Sequence, residues 1–183
     1  MSRSHYLGPW RVDLTLRPGI EAPISGRALA RAMVLAAEAA GAPSPASIGL
    51  ILSDDAELAE LNEVHLGKRG PTDVLSFPLL AAETYPAHPG RLEGATAATS
   101  TFALPPGRRP HLGDVVISVE RAVEQALEGR GGQTGTVRWA PADELRLLAI
   151  HGTLHLCGWD HAEVAEEAAM RALEARLLEA PGR

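Results

Sequence analysis

Apolar residues recur along this chain with two periods, and each period predicts one type of secondary structure. Alternation of apolar and polar residues over 10–17 predicts a half-buried strand that ends at Pro18-Gly19, and short apolar runs predict further strands. Alanine- and leucine-rich segments with apolar residues three or four positions apart predict amphipathic helices. The predicted strands are 10–17, 48–52, 74–77 and 113–118, and the predicted helices are 24–40, one that begins at 54, 119–129, 141–155 and 163–179.

Two of these helices carry recognisable start signals. Asp54 is a favourable N-cap residue, and Glu57 three positions later completes a capping-box pattern. Pro141 suits the first turn of a helix, and the acidic residues that follow it lie near the positive end of the helix dipole. This second signal predicts a helix that continues from Pro141 as far as His155.

The mixture of strands and helices predicts an α+β domain, with a three-layer α/β arrangement as the other option. A length of 183 residues favours one domain, 1–183, with room for a sizeable core. The stretch 81–112 has no apolar periodicity and is rich in Ala, Thr, Pro and Gly, which predicts a long mobile surface loop. The glycine-rich segment 130–138 is predicted to be a loop as well.

Composition limits the classes of protein that fit. No apolar run approaches transmembrane length, and the N-terminal residues lack the apolar core of a signal peptide, so no membrane association is expected. A net charge of −6 argues against a surface that grips nucleic acid over its whole extent, although a local basic patch remains compatible with it. The single cysteine, Cys157, excludes an internal disulfide and indicates a reducing, cytoplasmic compartment. We interpret Cys157 as a core residue rather than a metal ligand, since it lies two positions from His155 and points to another helix face.

Three histidines, His151, His155 and His161, stand at positions i, i+4 and i+10. The first two share one face of a helix, and Gly158 allows the chain to turn so that the third can return towards them. Three neutral imidazoles leave a tetrahedral Zn²⁺ with one open position for water, which is the pattern of a catalytic site. The alternative is that these histidines are structural or coincidental. The other four of the seven histidines show no comparable spacing.

This spacing resembles the zincin pattern H-E-x-x-H-x-x-G-x-x-H, with one change that affects the chemistry. Gly152 occupies the position at which metallopeptidases carry the glutamate that serves as general base. Glycine cannot transfer a proton, so the metal ligands are retained while the peptidase base is absent.

Three motifs together resemble the YbeY family of bacterial endoribonucleases, which are described as rRNA maturation factors. The residues of 151–161 match H-G-x-L-H-L-x-G-[WY]-D-H, those of 61–78 match L-N-x-x-x-x-G-K-x-x-P-T-D-V-L-S-F-P, and those of 112–118 match L-G-D-[IV]-x-I-S. The three motifs follow the family's order and span most of 55–180.

The resemblance implies a zincin-like α+β fold in which a small mixed β-sheet packs with helices and a metal lies at a C-terminal helix. It implies that His151, His155 and His161 are the metal ligands. It also implies a metal-dependent, single-strand-specific endoribonuclease acting in rRNA maturation and ribosome quality control through a metal-bound water. The implied partners are ribosomal RNA, the small ribosomal subunit and other assembly factors.

The chain departs from the family at one position associated with activity. Family members usually carry arginine just before the Gly-Lys pair, whereas this chain carries Leu66. Lys68 and Arg69, flanked by glycines, are candidate substrate-binding residues for the RNA phosphates, and an ordinary solvated turn is the alternative. The loop 81–112 is also longer than the family usually shows.

Several supporting roles stay open at the level of sequence. Asp160 and Asp114 are candidates for holding the second ring nitrogen of a ligating histidine. Thr72-Asp73 either lines the cleft or forms a turn before the strand, and Trp159 and Phe77 either stack on a base or belong to the core. No residue is identified as the catalytic base.

Two other functions fit the same residues. A zinc metallopeptidase is disfavoured by Gly152. A non-catalytic ribosome-assembly factor, in which the zinc is structural, gains weight from Leu66.

Overall fold

The computed structural model describes residues 1–90, 109–128 and 139–180. Within these ranges, ten helices and strands follow one another along the chain. The strands are β1 (Ser2–Leu7), β2 (Trp10–Leu16), β3 (Ala46–Ser53), β4 (Val74–Pro78) and β5 (His111–Ser118). The helices are α1 (Gly26–Ala39), α2 (Asp55–Leu66), α3 (Val119–Leu127), α4 (Pro141–Leu156) and α5 (Val164–Glu179).

The five strands form one mixed sheet in the order β1-β2-β3-β5-β4. β2, β3 and β5 run parallel, whereas β1 and β4 pair antiparallel at the two edges. The prediction of an α+β fold with a small mixed sheet packed with helices is confirmed. Sequence analysis missed β1, because this edge strand is mostly exposed and has few apolar residues with which to mark a period.

The two faces of the sheet are covered differently. Alternate residues such as Leu50, Val115 and Ile117 face the main core, against which α1 and α4 pack. The opposite face carries a smaller cluster in which Leu58 of α2 meets Leu75 and Val116. Helices α4 and α2 therefore lie on opposite sides of the sheet, and both lie beside edge strand β4.

The N-cap residue predicted for α2 is correct, but the predicted capping box is not. Asp54 caps α2, since its side chain accepts a hydrogen bond from the Glu57 N–H at 2.9 Å. Glu57, however, does not complete a capping box; its carboxylate binds the Arg17 guanidinium and the Ser53 hydroxyl. That ion pair lowers the pKa of Glu57.

The predicted loop 81–112 needs correction at both ends. His111 and Leu112 belong to β5, and residues 82–84 form a single 3-10 turn. Tyr85 and Gly90 are buried, because this segment packs over the end of α4 instead of lying free on the surface. Residues 91–108 and the predicted loop 130–138 lie outside the described residues. No helix in the described ranges is long and apolar enough to cross a membrane.

Candidate metal centre

Helix α4 and the turn after it position the three histidines. Pro141 occupies the first turn of α4, and the Asp143 side chain accepts a hydrogen bond from the Ala140 N–H at 3.1 Å. The sixteen-residue helix carries His151 and His155 one turn apart near its C-terminal end. Gly158 has a φ of 80°, the left-handed conformation that reverses the chain and brings His161 back towards the helix.

The three imidazoles converge on one point. One ligand atom from each of His151, His155 and His161 lies within 4.8 Å of the others, so the three histidines can hold a metal ion. The Nε2 atoms of His151 and His155 are 3.0 Å apart. Tetrahedral zinc with bonds of about 2.0–2.1 Å places its donor atoms roughly 3.3 Å apart, so small ring movements suffice.

The second nitrogen of His151 is held by a residue that sequence analysis missed. Nδ1 of His151 lies 2.7 Å from Oε1 of Glu174 on α5, and the Glu174 side chain is only 11% exposed. A carboxylate accepts the Nδ1 proton and leaves the Nε2 lone pair directed at the metal position. The sequence carried a signal for this role: Glu174 lies among Met170, Leu173 and Leu177 on the inward face of α5, where a carboxylate requires a partner.

His155 is neutral at physiological pH. Burial, followed by the charges of His151 and His161, lowers its pKa to about 4. Its ring is also hydrogen-bonded to the backbone of Trp159. A metal ligand must be deprotonated, so the environment of His155 favours the form that coordinates.

The expected roles of the two aspartates are wrong. Asp114 lies on the sheet, where Oδ1 contacts Nε2 of His111 at 3.2 Å. Asp160 is exposed, and its Oδ1 accepts a hydrogen bond from the His161 N–H at 2.8 Å. Asp160 therefore stabilises the turn that presents His161 instead of holding a ring nitrogen.

The segment 81–90 supports this turn from outside. The His88 and Trp159 rings stack with centroids 4.2 Å apart, and Gly90 lies so close to Trp159 that a Cβ would be 2.1 Å from the indole. The Asp160 N–H donates to the Gly90 carbonyl oxygen at 2.9 Å. Trp159 is buried, as the interpretation of a core residue requires.

Cys157 is a buried thiol and not a fourth ligand. It is fully buried, and it does not belong to the cluster of candidate ligands. Burial raises its pKa to about 12, while the Tyr85 hydroxyl beside it acts in the opposite direction. A thiol with so high a pKa is protonated and neutral at pH 7.

Gly152 is required by helix–sheet packing. A Cβ there would be 2.5 Å from Cγ1 of Val115 and 3.2 Å from Oγ of Ser76, and the Ser76 hydroxyl donates to the Gly152 carbonyl oxygen at 3.0 Å. A larger side chain at this position would collide with the sheet. Packing against the sheet therefore favours glycine at this position, and glycine cannot serve as a general base.

A small pocket opens beside the histidines, between α4 and α5. Its volume is about 170 Å³, and its lining residues are His151, His161, Glu167, Met170, Arg171 and Glu174. Arg171 is the one cationic side chain among these described lining residues, and its Nη2 lies 2.5 Å from Oε1 of Glu167. Arg171 is not distinguished in the sequence, because charged residues are expected on the polar face of any amphipathic helix.

Lys68 and Arg69 are not part of this pocket. Both are exposed beyond the C-terminus of α2, where Gly67 adopts a φ of 65°. The nearby His65 ring contacts Phe77 of β4 at a centroid distance of 5.0 Å. Phe77 and Ser76 are neighbours that point to opposite faces of the edge strand, so the basic turn and the histidines lie on either side of β4.

Thr72 and Asp73 have a structural role. The Asp73 carboxylate accepts from the Val74 N–H at 2.8 Å and from the Gln125 side chain at 3.0 Å. These bonds fix the start of β4, at the end of the strand away from the histidines.

Comparison with known proteins identifies relatives over nearly the whole chain. The family model described as Endoribonuclease YbeY matches residues 23–182. Proteins named Endoribonuclease YbeY from Roseiflexus sp. and Moorella thermoacetica are 34% and 38% identical over 173 and 154 residues. These alignments cover 93% and 84% of this chain and 92% and 85% of the relatives. A solution structure from Thermotoga maritima gives a TM-score of 0.49 at 22% identity and covers 93% of this chain and 87% of its own.

Proposed function

The chain belongs to the endoribonuclease YbeY family, and from this premise we propose that it is a zinc-dependent endoribonuclease that cleaves single-stranded RNA in rRNA maturation and ribosome quality control. The family places the protein among nuclease hydrolases. The observation that supports the finer proposal is the convergence of three imidazole nitrogens within 4.8 Å at the wall of a pocket.

We assign His151, His155 and His161 as the metal ligands. Three imidazoles suit zinc, which favours tetrahedral sites with nitrogen ligands. The outer position of His151 is held by Glu174, and that of His155 by the Trp159 backbone. A bound zinc ion would supply Lewis-acid chemistry by polarising a phosphoryl oxygen and easing the deprotonation of water. The burial of His155 keeps its imidazole neutral and ready to coordinate.

Both carboxylates of the pocket already have partners. Glu174 holds His151, and Glu167 pairs with Arg171. The Arg171 guanidinium reduces the repulsion that a phosphate would meet at Glu167, because its positive charge opposes that carboxylate.

We propose that Lys68 and Arg69 contact RNA phosphates away from the cleavage point. They lie across edge strand β4 from the histidines, so an extended strand that crosses this edge would meet both surfaces. Ribosomal RNA within the small ribosomal subunit is the proposed substrate context, with other assembly factors as further partners and the cytoplasm as the compartment.

The decisive experiment combines elemental analysis with an RNA cleavage assay. We expect about one zinc per chain, because three histidine ligands form one zinc site. Cleavage of single-stranded RNA should be lost after chelation and recover when zinc is added back. In His161→Ala, one ligand is removed from an exposed position, so folding should be preserved while both zinc and cleavage are lost. His111→Ala is the matched control, because His111 lies on β5 away from the cluster.

The same experiment separates this proposal from a non-catalytic assembly factor. Leu66, exposed where the family usually carries arginine, favours that second function. An assembly factor with structural zinc would bind the metal but cleave no RNA, and His161→Ala would still support ribosome assembly. Undiminished cleavage by the metal-free protein would contradict the zinc-dependent mechanism.

A further inference from the structure

Helix α5 presents one cationic side chain to the pocket beside the histidines. Glu167, Arg171 and Glu174 are four and three positions apart, so they share the helix face that lines the pocket with His151 and His161. Glu174 is committed to His151. Arg171 is therefore the residue on this face that can offer hydrogen-bond donors to a ligand.

The pocket is suited to one group of a larger substrate. Its volume of about 170 Å³ is below the roughly 300–1,000 Å³ of pockets that enclose whole small molecules. A guanidinium beside a metal-binding cluster matches the charge and geometry of a phosphate, which arginine binds with two parallel N–H donors. The Arg171 side chain is 58% exposed, so it can rotate to meet a strand that enters from solvent.

The electrostatics of the chain favour a cation at this position. The protein carries a net charge of −6, and the pocket itself contains two carboxylates. Without Arg171, the Glu167 carboxylate would face an incoming polyanion with no opposing charge on its own helix face. With Arg171 in place, the Glu167 charge is opposed on its own helix face, and the guanidinium still holds spare N–H donors.

We propose that Arg171 is a substrate-binding residue that contacts a backbone phosphate of the RNA strand beside the scissile linkage. This inference rests on the proposed function, since it requires RNA in the pocket. Arg171 is a cation next to the proposed metal ligands, on the same side of the sheet, whereas Leu66, Lys68 and Arg69 lie on the far side of β4. Glu167 holds the guanidinium at the rim until a phosphate replaces it.

The test measures RNA binding by zinc-loaded full-length protein. The probe is a fluorescent single-stranded RNA that carries 2′-O-methyl groups and phosphorothioate linkages, so that binding is measured without cleavage. The variants are Arg171→Ala, Arg171→Lys and the control Arg176→Ala. Arg176 lies on the same helix and its replacement removes the same charge, but it is exposed and does not line the pocket.

We expect Arg171→Ala to raise the Kd about 3- to 10-fold, the range of one typical net hydrogen-bonded contact, because the side chain is solvent-exposed. The slope of log K against log salt should fall by about 0.7, the value for one phosphate contact on a single strand. Arg171→Lys should recover the salt slope while recovering the affinity only in part, because lysine keeps the charge but lacks the planar fork. Zinc content should stay the same in all variants.

The outcomes distinguish this inference from the proposed function. If the wild type neither binds the probe nor cleaves unmodified RNA, the proposed function fails and the inference fails with it. If the wild type does both and Arg171→Ala behaves like Arg176→Ala in affinity and salt slope, the inference alone is overturned. A larger loss in Arg171→Ala than in Arg176→Ala, with the matching change in slope, supports it.

Discussion

Oε1 of Glu174 lies 2.7 Å from Nδ1 of His151, which joins helix α5 to helix α4, where two of the three candidate metal ligands lie. The two residues are 23 positions apart in sequence, and only the packing of α5 against α4 brings them together. The contact fixes the ring orientation of His151 and directs its free nitrogen towards His155. Glu174 therefore orients one of the three candidate ligands without itself belonging to the histidine cluster.

Loss of this carboxylate should weaken metal binding. We expect Glu174→Gln to reduce zinc affinity about 10- to 100-fold, the range for second-sphere partners of ligating histidines. Chelator competition measures the affinity. Glu179→Gln, on the same helix but exposed, is the control and should bind zinc as the wild type does. Equal affinities for both variants would show that Glu174 does not orient His151.

A side chain at position 152 should destabilise the fold. Glycine to alanine inside a helix ordinarily stabilises by about 0.5–1 kcal/mol. Gly152→Ala should have the opposite sign and lower the free energy of unfolding by about 1–3 kcal/mol, because its Cβ would meet Val115 at 2.5 Å. Urea denaturation measures the change. Val115→Ala should relieve the clash, so the double variant should show favourable coupling; a purely additive double variant would contradict this account.

The contact between Gly90 and Trp159 should control the turn that presents His161. A Cβ on Gly90 would be 2.1 Å from the indole and would push Trp159 away from its buried position. We expect Gly90→Ala to lower zinc affinity about tenfold, as for other groups that support a ligand, and to shift the tryptophan emission. Ala87→Ser, at an exposed position of the same segment, should change neither property. Unchanged zinc affinity in Gly90→Ala would show that the turn that presents His161 does not depend on its contact with Gly90.

Restoring an arginine at the end of α2 should increase cleavage if RNA crosses edge strand β4. Leu66 is 56% exposed, so Leu66→Arg requires no repacking. We expect kcat/KM for single-stranded RNA to rise about tenfold, in line with one added charge-assisted phosphate contact. Val64→Arg adds the same charge at a 70% exposed position of the same helix and is the control. A similar gain in both variants would point to general charge attraction.

Glu144 should make stability depend on pH in a predictable direction. Burial, and then the negative charge of Asp73, raise its pKa, although the Trp139 indole N–H that it accepts acts the other way. A raised pKa in the folded state means that the protonated form is favoured there. The associated stability is fully present below the unfolded pKa of about 4.3 and is lost as the pH rises through the folded pKa.

Glu144→Gln keeps an acceptor for Trp139 and cannot ionise. Its free energy of unfolding, relative to that of the wild type, should therefore increase between pH 4 and pH 7. Denaturant titrations at several pH values measure the difference. Glu60→Gln, at an exposed position, should show no such trend, and a pH-independent difference for Glu144→Gln would contradict the proposed burial effect.

The amino-acid sequence by itself determined the local structure and the chemistry of the ligands. In the described ranges, four of the five strands and all five α-helices follow from periodicity and capping residues. The convergence of His151, His155 and His161 follows from their spacing along one helix and one turn. These properties depend on residues that are close together in the sequence, so they can be predicted without knowledge of the tertiary structure. The edge strand β1 was missed because an exposed strand has no apolar face to show a period.

The tertiary structure alone decided which residues surround those ligands. Glu174 and Arg171 reach the histidines from α5, and Gly90 packs against the turn that presents His161. Asp114 lies on the sheet beside His111, and Asp160 binds the backbone of that turn instead of a ring nitrogen. Tertiary packing also places Lys68 and Arg69 across the sheet from the histidines. The sequence shows only that these two residues are basic and flanked by glycines. Long-range proximity depends on how helices dock against the sheet, which is set by the summed burial of many apolar side chains and has no local signal.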